Sequence, residues 1–250
     1  MKLLLASAAI VVASASMANA VNILLVTNNN TTTQSLNDFL TATEGHTVTR
    51  DARTNGPLAT DATTFDLVIL ARETNSGDYD DGTEPADWGT LATPIVTMAP
   101  HIARSNRLGF VSTTALPLTG LITDYDAYPD SSHPLLSGVT STTFLNTGTA
   151  MNTLSGALPT GSTVVATAGG NSAIWVTPAG STLFNPGGAV AAGDVRIGFL
   201  RGPEGSWDNI SGDGEQILRN VIAFATVPEP SSALLGVIGI GIGALRRKRA

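Results

Sequence analysis

Short, uninterrupted apolar runs recur along the chain and set the strongest limit on its fold. Residues 22–27 read Asn-Ile-Leu-Leu-Val-Thr, and similar runs occupy residues 65–71, 94–98 and 195–200. Each run has the length of one strand, and because it does not alternate with polar residues it predicts a strand covered on both faces. Residues 108–112 indicate a further strand of this kind. Strands of this type belong to parallel sheets that carry helices on both faces.

Helical patterns separate several of these runs. Residues 31–42 follow the first run, and their apolar side chains fall on one face. The clearest helix is predicted at residues 212–225, where Asp213 and Glu215 favour the positive helix start and an apolar stripe follows. This alternation predicts an α/β fold with a mostly parallel sheet.

The second half of the chain has a different pattern. Residues 162–167, 172–177 and 181–184 are short strand-like segments separated by Gly and Pro turns. Such short connections join antiparallel neighbours, so we expect antiparallel additions to the sheet in this half.

Charge and cysteine content exclude several functions. The chain carries a net charge of −7, and residues 21–227 hold eight arginines, no lysine and 19 acidic residues. An acidic body offers no counter-charge to phosphate, so nucleic-acid binding is not expected. The absence of cysteine rules out disulfides, thiolate nucleophiles and zinc–thiolate sites.

The N-terminus has the pattern of an export signal. Lys2 precedes an apolar stretch, and Ala18-Asn19-Ala20 fits the small-x-small rule for cleavage by signal peptidase. We therefore predict a signal peptide at residues 1–20, a mature chain that begins at Val21, and export across the inner membrane.

The C-terminus combines three features in order. Pro228-Glu229-Pro230 is followed by an apolar run at residues 233–245 and a basic end at residues 246–249. A helix of that run would measure about 20 Å, which is short for a hydrocarbon core of about 30 Å. The basic end would stay on the cytoplasmic side. The pattern predicts a transient inner-membrane anchor through residues 233–245.

This tail resembles the PEP-CTERM sorting signal of exopolysaccharide-producing Gram-negative bacteria. The resemblance implies processing near Pro228-Glu229-Pro230 by an exosortase, a membrane-embedded peptidase, and delivery to the cell surface or the extracellular matrix. Residues 227–250 would then be a sorting tail, separate from a folded domain at residues 21–226.

The body resembles class I glutamine amidotransferase-like domains, including trehalose-utilisation-type relatives. The matching motifs are Gly45-His46-Thr-Val-Thr, His133-Pro-Leu-Leu-Ser-Gly-Val and the helix Asp-Gly-Glu-Gln-Ile-Leu-Arg-Asn-Val-Ile. The resemblance implies a flavodoxin-like fold. In that family a cysteine nucleophile follows a central strand, but Ala99-Pro100-His101 stands at this point here. Glutaminase chemistry is therefore excluded, and we assign no catalytic residue.

Polar side chains follow the predicted strands at the ends where open α/β sheets bind ligands. Together they offer amides, carboxylates, guanidinium groups, an imidazole and an indole, which suit the hydroxyls and ring faces of a sugar. The candidate ligand-binding residues are Asn28, Asn29, Arg72, Glu73, His101, Arg104, Glu204 and Trp207.

No metal or cofactor is predicted. Residues 78–84 are acidic, but their spacing departs from the calcium-binding EF-hand loop. The sequence favours an exported, non-catalytic surface or matrix module, with exopolysaccharide as a candidate partner. Two alternatives remain open. One is a saccharide hydrolase in which His101 acts with a carboxylate, and the other is a purely structural envelope protein.

Overall fold

The computed structural model describes residues 20–27, 33–52, 56–58, 60–72, 76–115, 118–120, 124–144, 151–200, 207 and 210–226. The predicted signal peptide, apart from Ala20, and the predicted sorting tail at residues 227–250 lie outside the described residues. Within the described ranges no helix combines the length and the apolar character needed to cross a bilayer.

The strands, in chain order, are β1 Asn22–Val26, β2 Thr47–Asp51, β3 Leu67–Leu70, β4 Ile95–Thr97, β5 Leu118–Gly120, β6 Met151–Thr153, β7 Thr163–Ala168, β8 Asn171–Thr177, β9 Thr182–Leu183, β10 Val190–Ala191 and β11 Arg196–Phe199. In the described part of the chain, seven of them form the main sheet in the order β2-β1-β3-β4-β11-β8-β7. Strands β5 and β6 form one small antiparallel pair, and β9 and β10 form another.

The main sheet is mostly parallel, as the apolar runs predict. β1 pairs in parallel with β2 and β3, and β4 pairs in parallel with β3 and β11. β8 pairs antiparallel with both β11 and β7. The expected antiparallel additions in the second half are therefore confirmed.

The α-helices are α1 Gln34–Asp38, α2 Asp61–Thr64, α3 Glu84–Thr90, α4 Pro100–Ala103 and α5 Gly212–Thr226. A π-helical turn, Phe39–Thr43, extends α1, and short 3₁₀ helices form at Ser76–Tyr79 and Pro134–Leu136.

Each face of the sheet has its own hydrophobic core, which explains the unbroken apolar strands. Ile23 and Leu25 of β1 pack on the side of α1 and α5, whereas Leu24 and Val26 pack on the side of α3 and α4. Successive strand residues point to opposite faces, so a strand with a helix layer on each side needs apolar residues at every position. The fold is a flavodoxin-like α/β fold with helices on both faces.

The prediction of a strand at residues 108–112 is wrong. The amide of Leu108 donates to the carbonyl of Ile102, and the amide of Val111 donates to that of Ala103. Gly109 has φ +71°, and a Cβ there would lie 2.6 Å from the backbone of Asn185. The segment is apolar because most of it is buried, but its amides at Leu108 and Val111 bond back to α4, and the backbone bonds from Phe184 to Gly109 and from Ser112 to Ala157 do not form a strand ladder.

Candidate functional site

The carboxyl ends of β1, β3 and β4 meet at one edge of the sheet, which we call the carboxyl edge. β2 and β3 lie on opposite sides of β1, so the chain changes direction across the sheet at this point. Open α/β sheets bind ligands in the crevice at such a switch point. Arg72 follows β3 here, and His101 and Arg104 follow β4.

Arg72 is held by the 3₁₀ helix that follows β3. Its side chain is buried, and its Nη2 donates to Oδ2 of Asp78 at 2.5 Å. The guanidinium carbon also lies 5.9 Å from the ring centroid of Tyr79. Burial raises the pKa of Tyr79 to about 12.

Arg104 connects α4 to the same 3₁₀ helix. Its Nη2 donates to Oγ of Ser76 at 3.2 Å, its Nε donates to the carbonyl of His101 at 2.8 Å, and its Nη1 donates to the carbonyl of Thr114 at 3.1 Å. Burial, and then the charge of Arg107, lower the pKa of Arg104. These bonds tie the ends of β3 and β4 together.

Arg107 completes the arrangement, although it is not among the candidates predicted from the sequence. Its Nη1 forms an ion pair with Oδ2 of Asp80 at 2.6 Å. Arg72, Arg104 and Arg107 therefore each hold one side chain of residues 76–80, which we call the clamped segment. The only sequence signal for Arg107 is its position three residues after Arg104.

His101 lies in α4, immediately after Pro100, and its side chain is half-buried. Burial, and then the charge of Arg104, lower its pKa below the ordinary value of 6.5, so the imidazole is neutral at pH 7. A neutral imidazole offers one N–H donor and one acceptor nitrogen. Among the described residues, no carboxylate lies within 4 Å of this ring.

Glu84 begins α3, shortly after the clamped segment, and is 8% exposed. Burial raises its pKa to about 7, while the backbone N–H of Asp81 donates to the carboxylate and opposes that rise. Its Oε1 is buried and has no hydrogen-bond partner among the described residues. The sequence placed Glu84 only within an acidic loop, because nothing in the local pattern reveals its burial.

Trp207, another candidate residue, is buried. Trp207 is 5% exposed, and its ring centroid lies 5.0 Å from that of Phe39. Its indole is thus a core group in this structure and not a stacking face open to solvent. Asn28, Asn29, Glu73 and Glu204 lie outside the described residues. Within the described ranges, no group of three or more His, Asp or Glu side chains is placed to hold a metal ion.

Comparison with known proteins bears on the fold. No protein-family model and no curated protein matches the chain. Among solved structures, a cytoplasmic protein from Salmonella typhimurium LT2 is 9% identical, with a TM-score of 0.52, and the match covers 82% of this chain and 99% of that one. A second cytoplasmic protein from Salmonella typhimurium has 8% identity, a TM-score of 0.49, and coverages of 81% and 98%. A protein described as ThuA-like, from Bacteroides uniformis, has 9% identity, a TM-score of 0.49, and coverages of 83% and 92%. The first of these likenesses supports the α/β fold, and at this identity it extends to the fold alone.

Proposed function

We propose that this protein is an exported, non-catalytic module that binds a carbohydrate at the carboxyl edge of its sheet. The observation that carries the proposal is the half-buried imidazole of His101, which lies in α4 just past the carboxyl end of β4. The hydroxyl groups of a sugar both donate and accept hydrogen bonds, and a neutral imidazole also does both.

The arginines favour a neutral ligand over an anionic one. Arg72 and Arg107 form ion pairs with Asp78 and Asp80, and Arg104 donates to two backbone carbonyls and Ser76. An anion would have to compete with these partners for each guanidinium group. In addition, a segment that is already fixed loses little freedom when a ligand binds beside it.

The position of the predicted sorting tail fits the same function. α5 ends at Thr226, which shares the lining of one cavity with Asp66 and Pro94, the residues just before β3 and β4. The tail would therefore leave the domain at the amino ends of the parallel strands. Anchoring through residues 233–245 would leave the carboxyl edge directed away from the membrane and open to extracellular polysaccharide.

A glycan array, followed by calorimetry with the chain that begins at Val21, tests the carbohydrate site. We expect His101→Ala to weaken binding of a positive glycan by about 1–2 kcal/mol, the scale of one lost hydrogen bond, or roughly 5–30-fold in Kd. His46→Ala is the matched control. His46 is also half-buried, and burial lowers its pKa too, but it precedes β2 at the opposite edge.

The remaining outcomes separate the alternatives. Unchanged affinity in a folded His101→Ala variant would remove His101 from the site. Hydrolysis of a glycan that is lost in this variant would favour the hydrolase. No binding to any glycan and no hydrolysis would leave the structural envelope role.

A further inference from the structure

A second feature lies at the opposite end of the sheet, where a cavity of about 890 Å³ opens at the amino ends of the parallel strands. Val176, Ala179 and Phe224 contribute to an apolar lining, and Asp66 and Asp194 contribute the two carboxylates. We call this cavity the amino-edge groove. Its volume falls in the range of cavities that enclose a ligand rather than a few waters.

The chain itself leads out of this groove. Thr226, the last residue of α5, is part of the groove lining, and residues 227–250 follow it. The six residues 227–232 span about 20 Å when extended. Residues 233–245 therefore begin within about 20 Å of Thr226, which itself lines the groove.

Residues 233–245 would expose apolar side chains to water whenever they are not in a bilayer. Residues 233–245 contain no charged residue and include Leu234, Ile238 and Ile240. Leaving apolar surface in water costs about 25 cal/mol for each Å². The segment is also shorter than a typical membrane span, so a bilayer would compete only weakly with the groove for it.

Charge complementarity also favours binding of this segment in the amino-edge groove. Arg246, Arg247, Lys248 and Arg249 directly follow the apolar segment. Oδ2 of Asp66 accepts from the amide of Asn22 at 2.8 Å, and Oδ1 of Asp194 accepts from the amide of Val195 at 2.6 Å, so both carboxylates are fixed in place. Fixed carboxylates beside an apolar groove complement an apolar segment that ends in cations.

We propose that residues 233–245 occupy the amino-edge groove of their own chain when the protein is in water, with the basic end beside Asp66 and Asp194. This inference does not depend on whether the carboxyl edge binds carbohydrate.

Cross-linking tests the proposal, because the chain has no cysteine and any introduced thiols are the sole reactive pair. The test variant combines Ala223→Cys with Ile240→Cys. The matched control combines Ala115→Cys with Ile240→Cys. Ala223 and Ala115 are both exposed alanines, but Ala223 lines the groove, whereas Ala115 follows Thr114, whose carbonyl accepts from Arg104 at the carboxyl edge.

The chain that begins at Val21 would be treated with a short bis-maleimide in dilute, detergent-free buffer, and the products separated by size and mapped by mass spectrometry. We expect the Ala223→Cys pair to cross-link within one molecule at least about fivefold faster than the same pair in a chain that also carries Asp66→Asn and Asp194→Asn, because docking raises the effective concentration of the tethered thiol. The Ala115→Cys pair gives the background rate at a site outside the groove. Equal rates for the Ala223→Cys pair with and without the two aspartates, or cross-links formed solely between molecules, would overturn the proposal. Circular dichroism of each variant checks that the fold is retained.

Discussion

Arg196 is a fully buried charge whose observed partners are backbone carbonyls. Its Nη1 donates to the carbonyl of Thr93 at 2.9 Å, and its Nη2 donates to those of Gly89 at 2.9 Å and Leu91 at 2.5 Å. Burial lowers the pKa of Arg196 to about 10, so it remains charged at neutral pH. Helix C-termini leave carbonyls unpaired and attract cations, and Arg196 performs this capping for α3 from a neighbouring strand.

Replacing this cap should be costly. We expect Arg196→Met to lower the free energy of unfolding by about 3 kcal/mol or more, because it leaves several buried carbonyls without donors. Arg219→Met is the control. Arg219 is one-third exposed and pairs with Glu44 and Glu215, so its loss should cost about 1 kcal/mol or less. Urea unfolding measures both, and equal losses would argue against the capping role.

Glu84 should make stability depend on pH. Its pKa is raised in the folded state to about 7, so its contribution to stability is fully present below its ordinary pKa of 4.5 and is lost as the pH rises through 7. Glu84→Gln removes this loss. The variant should therefore gain about 1–2 kcal/mol over the wild type between pH 4.5 and pH 8, after allowance for solvent screening. Urea unfolding at the two pH values measures this difference, and a constant difference would show that Glu84 ionises freely in the folded protein.

At the scale of single residues, the sequence predicted positions along the chain but not tertiary contacts. The pattern correctly placed Arg196 in a buried strand, and Arg72 and Arg104 just past strand ends. It could not show that Arg196 bonds to carbonyls about a hundred residues earlier. Nor could it show that two of the proposed ligand donors hold the clamped segment, because partners distant in sequence are fixed only by the tertiary fold.

At the scale of elements, strand β11 depends on one glycine. Gly198 lies opposite Trp175 of β8, and a Cβ at Gly198 would collide with the indole ring. Trp175 is fully buried and cannot move aside without displacing the core. The absence of a side chain at Gly198 thus allows the largest side chain of β8 to pack across β11.

We expect Gly198→Ala to destabilise the protein by about 1–3 kcal/mol, the usual cost of forcing extra volume into a packed core. Gly212→Ala is the control. Gly212 begins α5, and a Cβ added to it would meet no heavy atom within 4 Å, so this change should alter stability by less than about 1 kcal/mol, in the favourable direction. Thermal unfolding of both variants measures the contrast, and tolerance of Gly198→Ala would mean that Trp175 has room to move.

The sequence predicted which segments form strands but not the order of the strands in the main sheet. Unbroken apolar runs identified β1, β3, β4 and β11, because burial on both faces removes polar residues. The same pattern cannot say that β11 lies between β4 and β8, since periodicity records burial and not the identity of a neighbour. At residues 108–112 burial without a strand produced the same apolar signal.

For the molecule as a whole, the two proposed sites lie at opposite edges of the main sheet. The polar groups of the proposed carbohydrate site lie at the carboxyl edge. β1 begins at the amino edge, where Asp66 accepts from the amide of Asn22, and α5 ends there beside the groove. Both ends of the proposed mature domain therefore lie at the edge opposite the proposed site, so processing at either end need not disturb ligand binding.

The domain should fold without its tail but not without α5. Ile217, Leu218, Val221 and Ile222 of α5 are buried in the core beside β1 and β3. Each contributes about 1.5–3 kcal/mol, so together they rival the whole stability of a domain, about 5–15 kcal/mol. A chain of residues 21–226 should be soluble and unfold cooperatively in urea, whereas a chain of residues 21–211 should bind a hydrophobic dye and show no cooperative transition. Aggregation of the longer chain would place part of the tail within the folding unit, and cooperative folding of the shorter one would mean that the sheet is stable without the layer that α5 provides.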